Sequence, residues 1–255
     1  MSRALQLLGL ADFPLVEPGQ NLAELLLQSL RHNRVALEPG DIVVVAQKIV
    51  SKSENRYVRL ADVKPGAEAL ELARRAGKDP RQVELILRES RQVLRVHPGV
   101  IIVEHRLGYV HANAGIDKSN IPSSEEDPLV LLLPVDPDAS ARLLQRALMD
   151  EFKAPLAVIV NDSAGRAWRN GTIGMAIGCA GILPLSDQIG DLDLFGRELQ
   201  VTQVAVADEL AAAASLVMGQ ANEACPVVLV RGADWQPADC GQGPLLRPVA
   251  EDLFR

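Results

Sequence analysis

The sequence predicts a mixed α+β fold. Short apolar runs of strand length alternate with longer stretches of helical periodicity, and a hairpin-like pair of strands interrupts the βαβ rhythm. With 255 residues, the chain is expected to form one unit over residues 1–255, with room for two subdomains. Aromatic residues make up only 3% of the chain against 48% hydrophobic. The core must therefore be built from Leu, Val, Ile and Ala.

The first helix is signalled by Asn21 and Glu24 as a capping box, followed by the stripe Leu22, Leu25, Leu26 and Leu30. Pro39-Gly40-Asp41 turns into the apolar run Ile42 to Ala46, a short buried strand. A second helix is predicted from about Gly66 to Ala76. A third starts at Asp79-Pro80, a cap with proline at the first helical position, and sets Val83, Ile86, Leu87 and Leu94 on one face. Glu84 and Arg88 lie outside it as an i,i+4 pair. Gly99 to Glu104 and Gly108 to Ala112 are expected to form a hairpin about His105 and Arg106. The polar segment Ile121 to Asp127 is an expected surface loop.

Asp136-Pro137 opens a further helix carrying Leu143, Leu144 and Leu148, and Leu156 to Val160 is a buried strand. The Gly-rich stretch that follows to Gly181 is expected to provide tight packing and turns. Leu199 to Val204 is predicted as a strand, Val206 to Met218 as an Ala-rich helix, and Val227 to Val230 as a last strand.

A net charge of -7 argues against nucleic-acid or anionic-membrane binding, so an anionic substrate must meet locally placed Lys and Arg. Cys179, Cys225 and Cys240 form no C-x-x-C pair, and reduced thiols are expected rather than disulfides or a zinc site. No signal peptide and no apolar run near the length of a membrane span is present, so a soluble, cytoplasmic protein is expected. His32, His97, His105 and His111 lack metal-ligand spacing, and surface or hydrogen-bonded roles are expected for them.

Four segments can carry chemistry. Gln47 to Lys52 follows a strand end, where lysines meet phosphate oxygens or form a solvated basic turn; if extended, Lys48 and Lys52 share a side. Ala112 to Asn120 mixes small residues with Asp117, which could hold a divalent cation or close a polar turn. In Val160 to Gly171, Asp162 projects at a sheet edge and Ser163 adds a neutral oxygen suited to Mg²⁺ or Mn²⁺. Arg166 and Arg169 are phosphate or carboxylate partners, while an Asx-turn Asp162 and a core Trp168 are the structural alternatives. Finally, Met218 to Glu223 closes the Ala-rich helix, with Gly219 as its C-cap. Gly171, Gly174, Gly178 and Gly181 form no P-loop.

In order along nearly the whole chain, Phe13-Pro14-Leu15-Val16, Gln47 to Glu54, Ala114 to Asn120, Asn161 to Gly171, Ala176 to Ile182, Met218 to Gly232 and Glu251 to Arg255 resemble the coenzyme F420-0:L-glutamate ligase family. The resemblance implies an F420 ligase-like fold and GTP-dependent, γ-linked addition of L-glutamate to coenzyme F420-0 through an acyl phosphate, with no C-terminal reductase domain. It further implies Mn²⁺ or Mg²⁺, two per site, held by Asp117, Asp162, Ser163 and Gln220, with a monovalent cation such as K⁺, and an intertwined homodimer. Nucleotide contacts fall by the same resemblance on Phe13, Pro14, Leu15, Val16, Gln47, Lys48, Lys52 and Asn120. They fall also on Met218, Gly219, Gln220, Ala221, Asn222, Glu223, Ala224 and Cys225. The family more often carries a small hydroxyl pair where Gln47-Lys48 stands, and Cys225 replaces a small apolar residue. No catalytic side chain or general base is assigned. The alternatives are a related ligase with another amino acid or acceptor, and a nonenzymatic nucleotide-binding regulator.

Overall fold

The computed structural model describes residues 4–253, so Phe254 and Arg255 of the terminal motif lie outside the described residues. The elements run β1 (Gln6–Gly9), α1 (Leu22–His32), β2 (Ile42–Ala46), α2 (Gln47–Ser53), β3 (Tyr57–Arg59), α3 (Ala67–Ala76), α4 (Pro80–Arg88), β4 (Ser90–His97), β5 (Val100–His105) and β6 (Val110–Ala112). They continue with β7 (Leu129–Leu131), α5 (Pro137–Phe152), β8 (Ala157–Arg166), β9 (Arg169–Ala180), β10 (Ser186–Asp187), β11 (Gln203–Val204), α6 (Val206–Met218) and β12 (Val227–Arg231). The class is α+β. Among the described residues no helix is long and apolar enough to cross a membrane.

A five-stranded sheet in the order β1-β12-β2-β8-β9 organises the molecule. β2 and β8 run parallel, while the other neighbours are antiparallel. Alternation along β2 sends Val43 and Val45 into one core cluster and Ile42 and Val44 into another. The first cluster includes Leu26 and Leu30 of α1 with Leu144 and Leu148 of α5, and the second includes Leu210 and Ala214 of α6. A sheet buried on both faces accounts for the unbroken apolar run Ile42 to Val45. Between α2 and α5 the chain makes a second packed group, with α3 and α4 against β4-β5-β6 and the pair β3-β7.

The predicted caps are present. Asn21 accepts from the amides of Ala23 and Glu24, Asp79 from Arg81 at 2.8 Å, and Asp136 from Ala139 at 2.9 Å. The hairpin β5-β6, the Glu84–Arg88 pair at 2.9 Å and the exposed loop at 121–127 also match expectation.

Four expectations are corrected. α4 ends at Arg88, and Leu94 lies in β4, because Glu89 turns the chain toward Arg56 and Arg106 and the following residues pair with β5. Gln47 to Ser53 is helical rather than extended, which still leaves Lys48 and Lys52 on one face at i,i+4 spacing. The Gly-rich stretch is mostly strand β9, paired with a β8 that continues to Arg166. Leu199 to Thr202 joins no sheet. Gln188 to Thr202 instead forms an arm held by backbone hydrogen bonds such as Gly190 to Leu199 and Asp193 to Arg197, with only Gln203–Val204 pairing to β10.

The glycines of β9 do pack tightly. A Cβ at Gly174 would meet the Ala211 carbonyl of α6 at 2.3 Å, and one at Gly178 would meet Pro137 of α5 at 2.5 Å. These contacts lie on opposite sheet faces although the two glycines are an even number apart. A bulge resolves this: Val160 pairs with Gly178 and Asn161 with Ala176, leaving Ile177 as the extra residue.

Candidate active site

The parallel strands β2 and β8 end together, with Ala46 opposite Asn161. The carboxyl edge of such a pair is where an α/β sheet opens a crevice for ligands. α2 begins at the very next residue, so Gln47 and Lys48 are delivered beside Asn161 and Asp162.

Asp117 arrives from the second packed group. Its loop is held tightly: Asn113, Ala114 and Gly115 all have positive φ, and a Cβ on Gly115 would lie 2.6 Å from Leu133 Cδ1. Asp117 then exchanges backbone hydrogen bonds with Leu131, at 2.9 and 3.0 Å. Its carboxylate meets α2. Lys48 Nζ lies 2.9 Å from Oδ1, and Gln47 Nε2 donates to Oδ2 while its own Oε1 accepts from Ser51 Oγ at 2.9 Å.

Burial raises the Asp117 pKa; the Lys48 cation opposes this and the negative charge of Asp162 adds to it, for a net upward shift. Lys52 is shifted down by burial and by Lys48, against the pull of Asp117. Two carboxylates and two lysines thus share one electrostatic environment.

Asp162 is buried within β8, and each of its oxygens has a partner. Oδ1 accepts from the Ser163 amide at 2.8 Å, and Oδ2 lies 3.1 Å from His111 Nε2. His111 Nδ1 lies 3.1 Å from the carbonyl of Ala112. Both neighbours are acceptors, so the full hydrogen-bond set needs a proton on each ring nitrogen. Burial disfavours that charged ring, but the hydrogen bond to Asp162 and its charge outweigh burial and raise the His111 pKa. Tyr109 stacks on His105 with centroids 5.1 Å apart and meets His111 edge-on at 6.3 Å. His111 is the site residue that sequence reasoning missed. Its neighbour in space is 51 positions away, and no spacing rule signals such a pair.

Side chains alternate along β8. Asp162 faces His111, whereas Asn161 and Ser163 face the end of α6. Asn161 Nδ2 donates to Ser215 Oγ at 2.9 Å, and Ser163 Oγ donates to Gln220 Oε1 at 2.7 Å. The loop after Asp117 reaches the same place, since Asn120 Nδ2 donates to the Ala221 carbonyl at 2.9 Å. Gly219 is the C-cap expected, with φ +71 and no space for a Cβ beside Glu223. Glu223 accepts from the Ala221 amide at 2.7 Å, and Gln220, Ala221, Asn222, Glu223 and Ala224 are exposed while Met218 is buried and Cys225 partly so.

Phe13 and Val16 are buried in the same cluster as Ile49 and Val50 of α2, while Pro14 and Leu15 face outward. That packing ties the segment to the helix carrying Lys48 and Lys52. Arg166 and Arg169 stand apart, pairing with each other across the turn of the β8-β9 hairpin, about 13 Å along the strand from Asp162. Trp168, in that turn, is 87% exposed and is not core.

The donor set suits a hard divalent ion. Asp117, Asp162, Ser163 and Gln220 offer carboxylate, hydroxyl and amide oxygens, and Lys48 already compensates charge at Asp117. Among the described residues no three His, Cys, Asp or Glu side chains converge on one point, so an ion here would draw on neutral oxygens as well. The thiols are free, Cys179 buried and Cys240 exposed.

A family model described as F420-0:Gamma-glutamyl ligase matches residues 11–232. A protein of Methanothermobacter thermautotrophicus named coenzyme F420:L-glutamate ligase is 48% identical over 98% of this chain and 99% of its own length. Proteins of the same name from Methanocaldococcus jannaschii and Archaeoglobus fulgidus are 42% and 41% identical, over 99% and 95% of this chain and 98% and 93% of theirs.

Proposed function

The chain belongs to the F420-0:gamma-glutamyl ligase family and is a ligase forming carbon–nitrogen bonds; from that premise we propose that it adds L-glutamate to coenzyme F420-0 at the expense of GTP. The observation that carries this reading is the convergence of Asp117 and Asp162 with Lys48 and Lys52 at the carboxyl ends of β2 and β8.

The terminal carboxylate of F420-0 attacks the γ-phosphate of GTP, giving an acyl phosphate and GDP. The amine of L-glutamate then displaces phosphate to form the amide. Carboxylate and triphosphate repel each other, so their approach requires positive charge fixed in advance. Lys52 and Lys48 supply it from one face of α2. Asp117 and Asp162, with Ser163 and Gln220, would hold Mn²⁺ or Mg²⁺, and the bound ion would supply positive charge to neutralise the phosphates, with K⁺ as a further cation. Asn120, Phe13 to Val16 and Met218 to Cys225 line the nucleotide, the hydrogen bond from Asn120 to Ala221 closing one side. Arg166 and Arg169, out on the hairpin turn, meet the acceptor in this reading rather than the γ-phosphate.

The enzyme works in the cytoplasm as a homodimer. Support for a partner copy lies in the 188–202 arm, where Leu192, Leu194, Phe195 and Val201 are 66%, 100%, 86% and 84% exposed. GDP release is expected to require F420-0, a divalent ion and glutamate for sustained turnover. GDP release at an undiminished rate without F420-0 would reject the ligase mechanism.

A further inference from the structure

The imidazole of His111 is buried against the Asp162 carboxylate, and the reaction as derived gives it no part. Its Nε2 lies 3.1 Å from Asp162 Oδ2, and its Nδ1 is tied at 3.1 Å to the backbone oxygen of Ala112. The ring therefore has little freedom to turn. Tyr109 closes on it edge-on, and Tyr109 is itself stacked on the fully buried His105. The other carboxylate oxygen is held by the Ser163 amide at 2.8 Å. Asp162 is thus gripped through one bond on each oxygen, which fixes its plane and leaves the remaining lone pairs for a ligand.

We propose that His111 is a positioning residue: it sets the carboxylate of Asp162 in the orientation that receives the divalent ion. The inference rests on the metal assignment to Asp162. A carboxylate free to rotate must lose that freedom when it ligates, and partners that orient a ligand are commonly worth 10- to 100-fold in metal affinity. A ring protonated on both nitrogens would by itself oppose a cation. Orientation and charge therefore predict opposite signs on removing the ring, and orientation is taken to dominate because both ends of the imidazole are anchored.

The test is direct Mn²⁺ binding to the purified full chain by titration calorimetry, with thermal unfolding followed in parallel. Wild type is expected to bind, and His111→Ala to bind about 10- to 100-fold more weakly. His111→Gln, which keeps an N–H donor without the ring's charge, is expected to recover most of the loss. If the alanine variant fails to fold, the glutamine variant carries the test by remaining within a few-fold of wild type. An alanine variant that binds Mn²⁺ as tightly as wild type, or more tightly, overturns the proposal while leaving the metal assignment standing. So does a folded glutamine variant no better than alanine. Wild type that binds no Mn²⁺ overturns both.

Discussion

Lys48 gives Asp117 its counter-charge, and the consequences can be measured residue by residue. Its ammonium sits 2.9 Å from a carboxylate whose side chain is 21% exposed. Lys48→Met leaves that charge with only the Gln47 amide, so the variant is expected to lose about 1–2 kcal/mol of stability in metal-free buffer. Added Mn²⁺ should restore part of the lost melting temperature, because the ion replaces the missing cation. A variant with an unchanged melting temperature would show that the pair contributes nothing. Asp117→Ala and Asp162→Ala should each remove nearly all turnover while circular dichroism stays native. Wild-type activity in either would reject the metal assignment. The candidates Asp117, Asp162 and Ser163 stood out in the sequence because carboxylates and a hydroxyl beside strand-end segments are a local signal, whereas Gln220 came only with the family resemblance; the structure brings Ser163 and Gln220 into hydrogen-bond contact at 2.7 Å. His111 was not legible, because only the pairing of β6 with β5 brings it under β8.

At the scale of elements, Glu89 is the joint between α4, the β5-β6 turn and Arg56, the residue before β3. Its carboxylate accepts from Arg56 Nη2 and Arg106 Nε, both at 3.0 Å, with His105 Nε2 3.7 Å away. Burial works against its charge, but His105 and the two guanidiniums prevail and hold its pKa down at about 2, from an ordinary 4.5. A depressed carboxylate stabilises the fold fully above its unfolded pKa and loses that contribution as pH falls toward the folded one. The difference corresponds to about 3 kcal/mol. Denaturant titrations should therefore show wild type losing stability between about pH 4.5 and 2, and Glu89→Gln should flatten that slope. An identical slope in the variant would contradict the assignment. This same joint explains the misplaced end of α4: helical spacing carries the pattern on to Leu94, but long-range ion pairs and the edge of β5 stop it at Arg88. β9 was missed for a related reason. Its glycines suggest turns when read locally, yet they are there because α5 and α6 press on both faces of the strand. Gly174→Val should cost at least about 1–3 kcal/mol, since its Cβ would meet backbone at 2.3 Å. A variant as stable as wild type would show that α6 can move aside.

For the molecule as a whole, periodicity and caps foretold the alternation of strands and helices and the apolar stripes of α1 and α5, while their assembly with α6 on one central sheet came only with the structure. They did not foretell the order of the strands, which depends on contacts between distant parts of the chain such as β1 with β12. A net charge of -7 leaves the basic groups at the end of β2 as local exceptions in an acidic molecule, fitting for anionic reactants. The exposed arm at 188–202 belongs to this scale as well. Phe195→Glu should shift sedimentation from dimer toward monomer, and an unaltered dimer would place the interface elsewhere. The central claim is that these parts join glutamate to F420-0. It is tested most directly by incubating the protein with F420-0, L-glutamate, GTP and Mn²⁺ and weighing the product by mass spectrometry. The expected result is F420-0 heavier by one or more glutamate residues, formed with wild type and absent with Asp162→Ala. Unmodified F420-0 under those conditions, with the protein folded and its nucleotide intact, would contradict it.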